Sequence, residues 1–151
     1  MVLEAGTLAP KFSLPDENEQ IHDLQDYIGK TIVLYFYPKD DTPGCTTEAC
    51  NFRDDYSAYQ QAGVVILGVS PDTSAMHTKF KAKFDLPFSL LADVDHQVCE
   101  LYGVWGPKKF MGREYEGVLR TTYLIGPDGI IKHVFENVKP ADHSAEILKL
   151  L

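Results

Sequence analysis

The run Ile32-Val33-Leu34-Tyr35-Phe36-Tyr37 is apolar at odd and even positions alike. That pattern predicts a strand covered on both faces, as in the middle of a parallel sheet. Val64 to Val69 is a second such run. Between them the period changes: Cys45, Ala49, Phe52, Tyr56 and Tyr59 share one helical stripe, the helix extends to about Gln61, and Gly63 stops it. Strand, helix and strand in that order predict a parallel βαβ unit with a right-handed crossover. Asp72, Thr73 or Ser74 caps a further helix with Met76, Phe80 and Phe84 on its inner stripe, and Pro87 ends that segment. Ser89 to Ala92 then reads as a short strand, and Asp95 to Tyr102 as a short helix with Val98, Leu101 and Tyr102 inward.

The flanks are less regular. Phe12 to Leu14 and Ile21 to Leu24 surround the turn-rich PDENEQ and predict a small hairpin, followed by one helical turn from Asp26 to Gly29. Gly103 to Gly117 has neither period, yet carries Val104, Trp105, Phe110, Met111 and Tyr115, so a long, packed, functional loop is expected there. Val118 to Ile125 and Ile130 to Glu136 flank Gly126-Pro127-Asp128-Gly129, which adds an antiparallel pair and makes the sheet mixed. A helix from about Ala141 to Leu151 offers Ile147, Leu148 and Leu151 to a sheet face. The expectation is an α/β chain, a single domain over 1–151, with a central mixed β-sheet flanked by helices.

Charge and composition narrow the function classes. A formal net charge of -8 over 151 residues speaks against nucleic acid or an anionic membrane as partner. No apolar run approaches the roughly 18 residues of a spanning helix, and MVLEAGTLAPKF lacks the features of a signal peptide, so a cytoplasmic protein, or one whose targeting segment is absent, is expected. Three cysteines in that setting are a poor disulfide framework; catalysis, redox sensing and plain burial remain open. The five histidines show no ligand spacing and are expected on the solvated surface. Asp40, Asp41, Asp54 and Asp55 are not read as metal ligands, and no metal is expected.

The candidate chemistry lies between Thr31 and Cys50. Pro38 ends the first strand, Lys-Asp-Asp-Thr-Pro-Gly makes a loop, and Cys45 opens the helix. Free N–H groups and the positive end of the macrodipole at a helix start favour a thiolate, the nucleophilic form. A small buried hydrophobe is the competing reading for this thiol; its position at a helix start favours reactivity. Cys50 follows five residues later, on the polar side with Arg53, Asp54, Ser57 and Gln61. On a regular helix that spacing puts the Cα atoms roughly 8.6 Å apart, beyond the roughly 4.4 to 6.8 Å of a disulfide. The two sulfurs join only if the first turn unwinds. Cys99, with no cap or charge logic around it, reads as structural. Arg120, inside the apolar run from Val118 to Ile125, is either an edge residue or a buried cation paired to an anion such as a thiolate.

Pro38, Thr42 and Cys45 in PKDDTPGCT resemble the Pro-x-x-x-Thr-x-x-Cys signature of peroxiredoxins, and Arg120 in GVLRTTYLIGPDG resembles their active-site arginine. TPGCTTEAC and YGVWGPKKFMG extend the resemblance over essentially the whole chain, toward the bacterioferritin comigratory protein, or peroxiredoxin Q, subfamily; Pro107 and Gly126 stand where an acidic residue is frequent. The resemblance implies a thioredoxin-like (peroxiredoxin) fold and a thiol-dependent peroxidase acting on hydrogen peroxide and organic hydroperoxides. It implies that Cys45 is the peroxidatic thiolate and Cys50 the resolving thiol, joined as a Cys45–Cys50 disulfide that thioredoxin or a similar dithiol reduces, with no cofactor. Resolution within one chain removes the need for a dimer without forbidding one, and a monomer is expected. Thr42, Arg120 and the N–H groups of Gly44 and Cys45 would be hydrogen-bond donors, and Pro38 would shield the pocket. Glu48 reads first as a solvated first-turn carboxylate, and second as a group that holds Arg120 or begins the unwinding. A general thiol–disulfide oxidoreductase, against which the Cys45 to Cys50 spacing argues, and a peroxide-sensing relay module are the alternatives.

Overall fold

The amino-terminal segment pairs as its turn predicts. In the computed structural model, which describes residues 2–151, β1 (Ser13–Pro15) and β2 (Ile21–Asp23) form an antiparallel hairpin, followed by a 3-10 turn over Leu24–Tyr27. The apolar run becomes β3 (Thr31–Phe36), which leads into α1 (Pro43–Asp54) and α2 (Tyr56–Gln61) and returns through β4 (Val64–Ser70). There follow α3 (Ser74–Phe84), β5 (Ser89–Ala92) and α4 (Gln97–Leu101). The hairpin β6 (Trp105–Phe110) and β7 (Arg113–Val118), then β8 (Thr121–Ile125), β9 (Ile131–Phe135) and α5 (His143–Leu148), complete the chain.

Five strands form one sheet in the order β5-β4-β3-β8-β9. β4 runs parallel to both β3 and β5; β8 is antiparallel to β3 and β9 to β8. The sheet is therefore mixed, with β3 at its centre. Alternate residues of β3 feed opposite faces. Ile32, Leu34 and Phe36 pack with Tyr102, Tyr123 and Cys99. Val33 and Tyr35 pack with Cys45, Ala49 and Phe52 of α1, Phe80 of α3 and Ile147 of α5. No helix among the described residues is long and apolar enough to cross a membrane.

Four expectations need correction. Gly103 to Gly117 is not a loop: β6 and β7 pair in register from Trp105↔Val118 to Phe110↔Arg113. Its tip, Met111 and Gly112, has φ of +51° and +79°, the two positive values of a tight hairpin turn. Most of β7 faces solvent, so no alternation marked the pair. The side chain of Phe110 lies outside the described residues. The helix expected from Cys45 to Gln61 is broken at Asp55. Val118 and Ile125 belong to different strands, with Leu119 and Arg120 between them. The inner helix faces also differ: His77 replaces Met76 on α3, Cys99 replaces Leu101 on α4, and Leu151 is exposed.

Candidate active site

The site forms at the carboxyl end of β3. Thr42 is the N-cap of α1, with extended backbone (φ -105°, ψ 155°), and Pro43 takes the first helical position, where its missing N–H costs nothing. Cys45 is thus the third residue of the helix, buried against the sheet. Arg120 reaches it from 75 residues away because Phe36 of β3 pairs with Thr121 of β8. The residue before Thr121 therefore lies beside the chain as it leaves β3. Arg120 Nη2 donates to Cys45 Sγ at 3.3 Å and Nη1 to Glu48 Oε1 at 2.8 Å. The guanidinium lies directly over the helix start: a Cβ on Gly44 would sit 3.1 Å from Nη2 and 3.6 Å from Pro140 Cγ. Any side chain at position 44 would push the arginine away.

Burial of the guanidinium works against its charge, and Cys45 and then Glu48 beside it more than offset that, so the Arg120 pKa is raised. Glu48 is not the solvated carboxylate expected: it is 1% exposed. The signal was its spacing, since a residue three beyond Cys45 shares the inner stripe. Burial pushes the Glu48 carboxyl up, and Arg120 only partly opposes this, leaving it at about 7. Its second oxygen, Oε2, meets no protein donor among the described residues.

A buried acid titrating that high holds a proton in the native chain that the unfolded chain gives up above its ordinary 4.5. Stability therefore falls as pH rises from the ordinary value through about 7. The shift amounts to on the order of 3 kcal/mol. Urea unfolding of the reduced protein should show wild type losing about that much relative to Glu48→Gln between roughly pH 5 and 8. A pH-independent difference between the two would contradict the titration.

Pro38 and Thr42 are half-buried on the loop ahead of the helix. Thr42 Oγ1 donates to the Lys39 carbonyl at 2.8 Å, so its proton is already committed. That bond uses the proton the hydroxyl was expected to offer as a donor and leaves its lone pairs free. Cys50 is half-buried in the same unbroken α1 as Cys45, and both thiols are free. The regular helix keeps them too far apart for a bond. Cys99 is fully buried; burial, and then Asp93 beside it, push its thiol up, so it is held protonated.

Several further groups carry no signal in the sequence. Lys108 of β6 is half-buried and donates from Nζ to the Val118 carbonyl at 2.9 Å. Burial and then the charge of Arg120 push its pKa down, and Cys45 opposes them. His77 and His143, expected at the surface, are buried. His143 Nε2 lies 2.8 Å from Thr122 Oγ1, and His77 Nδ1 lies 2.6 Å from Asp40 Oδ2. Asp40, Asp72 and His77 bring ligand-type atoms within 4.8 Å of one another. Each of these side chains is already hydrogen-bonded within the protein: Tyr37 donates to Asp40, Ser70 to Asp72, and His77 faces the Leu91 carbonyl. The cluster is a hydrogen-bond hub.

A buried thiol at a helix start with a guanidinium on its sulfur invites comparison with known proteins. The AhpC/TSA family pattern matches residues 5–134. The putative peroxiredoxin Bcp of Coxiella burnetii is 50% identical over 148 residues, covering 98% of each chain. The peroxiredoxin Bcp of Escherichia coli (strain K12) is 48% identical over 149 residues, covering 99% of this chain and 96% of its own. A crystal structure of a mutant of Xylella fastidiosa PrxQ superposes with a TM-score of 0.93 at 32% identity, covering 99% of this chain and 96% of its own. The bacterioferritin comigratory protein of Xanthomonas campestris, studied for alkyl peroxide reduction, superposes with a TM-score of 0.87 at 34% identity, covering 92% of this chain and 88% of its own. The chain has the thioredoxin-like peroxiredoxin fold and belongs to the AhpC/TSA family, as a peroxidase of the bacterioferritin comigratory protein, or peroxiredoxin Q, group.

Proposed function

We propose that the chain is a thiol-dependent peroxidase in which Cys45 is the peroxidatic thiolate and Cys50 the resolving thiol. The observation that carries this reading is the 3.3 Å contact from the Arg120 guanidinium to Cys45 Sγ. A fixed cation at the sulfur favours the anion that attacks, and the same group faces the charge that develops as the O–O bond stretches. The thiolate attacks the terminal oxygen of hydrogen peroxide or an organic hydroperoxide. An S–O bond forms, the O–O bond breaks, and water or an alcohol leaves after taking a proton. Cys45 becomes a sulfenic acid.

Arg120 and the N–H groups of Gly44 and Cys45 serve as donors to the peroxide oxygens. Thr42 accepts the hydroperoxide O–H while donating to Lys39, and the Pro38 ring keeps water from the pocket. The Cys50 thiolate then attacks Cys45 Sγ: the S–S bond forms and hydroxide leaves as water. Thioredoxin or a similar dithiol reduces the disulfide by exchange and returns both thiols. Resolution within one chain calls for no second subunit, so a single-domain monomer working in the cytoplasm is the form proposed. No metal or cofactor enters any step.

Cys50→Ser tests the division of labour. The reduced variant should consume about one equivalent of hydrogen peroxide and stop, leaving on Cys45 a sulfenic acid that a dimedone-type reagent traps. Continued turnover with a dithiol protein, or no adduct by mass spectrometry, would contradict the role given to Cys50.

A further inference from the structure

Pro38 and Thr42 sit on a turn, residues 37–42, that belongs to no helix or strand. Its Asp41 adopts φ +57°, a left-handed conformation uncommon outside glycine, so the surroundings must hold it. The holding group is Asp40, 6% exposed beneath the turn. Its Oδ1 accepts from the Tyr37 hydroxyl at 2.6 Å, and its Oδ2 faces His77 Nδ1 at 2.6 Å. Its own N–H donates to Asp72 Oδ2 at 2.7 Å, which also accepts from Ser70 Oγ at 2.7 Å. His77 Nε2 lies 3.0 Å from the Leu91 carbonyl, an acceptor only, so Nε2 carries a hydrogen. One proton then lies between Nδ1 and the Asp40 carboxyl. The pair is neutral overall on either side of that transfer, which is how a charge-bearing pair tolerates full burial.

This hub ties the turn to three elements at once: the start of α3 through Asp72 and His77, the end of β4 through Ser70, and β5 through Leu91. None of its bonds reaches Cys45. By contrast, the bond from Lys83 to Asp41 on the outer side is exposed and contributes little. The geometry points to Asp40, Asp72 and His77 as positioning residues for peroxide reduction: they fix the turn so that the Thr42 hydroxyl and the Pro38 ring meet a peroxide lying at Cys45. This inference rests on the roles given above to Thr42 and Pro38. A displacement of about 1 Å at such contacts costs on the order of 100-fold in rate.

The test separates alignment of the peroxide from reactivity of the sulfur. For the reduced full chain, the rate constant of Cys45 with hydrogen peroxide is measured by stopped flow beside its alkylation by iodoacetamide. Alkylation needs an accessible, nucleophilic sulfur but no aligned O–O bond. Asp40→Ala should slow the peroxide reaction on the order of 100-fold and leave alkylation unchanged. Asp40→Asn should restore most of the peroxide rate, because its Oδ1 still accepts from Tyr37 and its amide donates to a neutral imidazole. Should Asp40→Ala not fold, Asp72→Ala, which removes only the acceptor for the Asp40 N–H and Ser70, should show the same split at smaller size. Unchanged peroxide rates in both alanine variants, or equal falls in the two reactions, overturn the proposal. Thr42→Val in parallel identifies the failing step. A slow Thr42→Val beside a fast Asp40→Ala refutes positioning alone, whereas a Thr42→Val at full peroxide rate refutes the underlying role of Thr42 and the positioning proposal with it.

Discussion

Cys45→Ser is expected to abolish peroxide turnover, a loss on the order of 10⁴-fold or more in a thioredoxin-coupled assay. A hydroxyl at this position is neither ionised nor soft enough to attack a peroxide oxygen. The Arg120 guanidinium over the sulfur is a donor only, and Glu48 Oε1 is occupied by that same guanidinium. The substitution is nearly isosteric and retains a hydrogen-bond acceptor for Nη2, so folding should be little affected. Retention of the wild-type rate by this variant would remove Cys45 from the chemistry.

Arg120→Met should have the next largest effect: the peroxide rate should fall on the order of 10²- to 10³-fold, the range for deleting one donor aimed at developing charge. The change also strands Glu48, whose Oε1 loses its partner while Oε2 has none among the described residues. Breaking one half of a buried ion pair costs roughly 3 to 5 kcal/mol, less whatever the carboxyl recovers by taking a proton. Stability and chemistry are separable in the double variant Arg120→Met/Glu48→Gln, which removes the buried acid. Its unfolding free energy should recover toward wild type while its peroxide rate stays low. Recovery of both would mean that Arg120 acts only through folding. Arg120→Lys should not substitute, because one ammonium cannot serve Cys45 and Glu48 with the two-pronged geometry of the guanidinium.

The central sheet was legible because its inner strands are apolar at every position. Ile32 to Tyr37 and Val64 to Val69 announce burial on both faces without any knowledge of what covers them. The β6–β7 hairpin was not, since it lies largely in solvent and its glycines and Pro107 erase the alternation that would have marked it. Its signal was a Met-Gly tip able to turn tightly. At the site, Cys45, Thr42 and Pro38 were readable from one contiguous stretch, whereas the contact of Arg120 with Cys45 depends on the pairing of β3 with β8, a tertiary fact. Glu48 misled because a carboxylate in a first helical turn is ordinarily solvated; here the stripe it shares with Cys45 and Ala49 buries it. His77 misled for a related reason. It is a polar residue in a polar stretch, and only the fold reveals that Asp40 is its partner.

In the proposed cycle peroxide oxidises Cys45, and Cys50 captures it after the first turn of α1 opens. The direct measurement is a peptide map of the wild-type chain after one equivalent of hydrogen peroxide, alkylated before tryptic digestion. Both cysteines fall on the peptide 40–53, with Cys99 on 84–108. The predicted result is a 40–53 peptide lighter by two hydrogens and closed to alkylation, whose halves stay joined when the chain is cut after Glu48, beside a fully alkylated Cys99. A bond involving Cys99, a link between two chains, or an oxidised Cys45 with Cys50 still alkylated would contradict it.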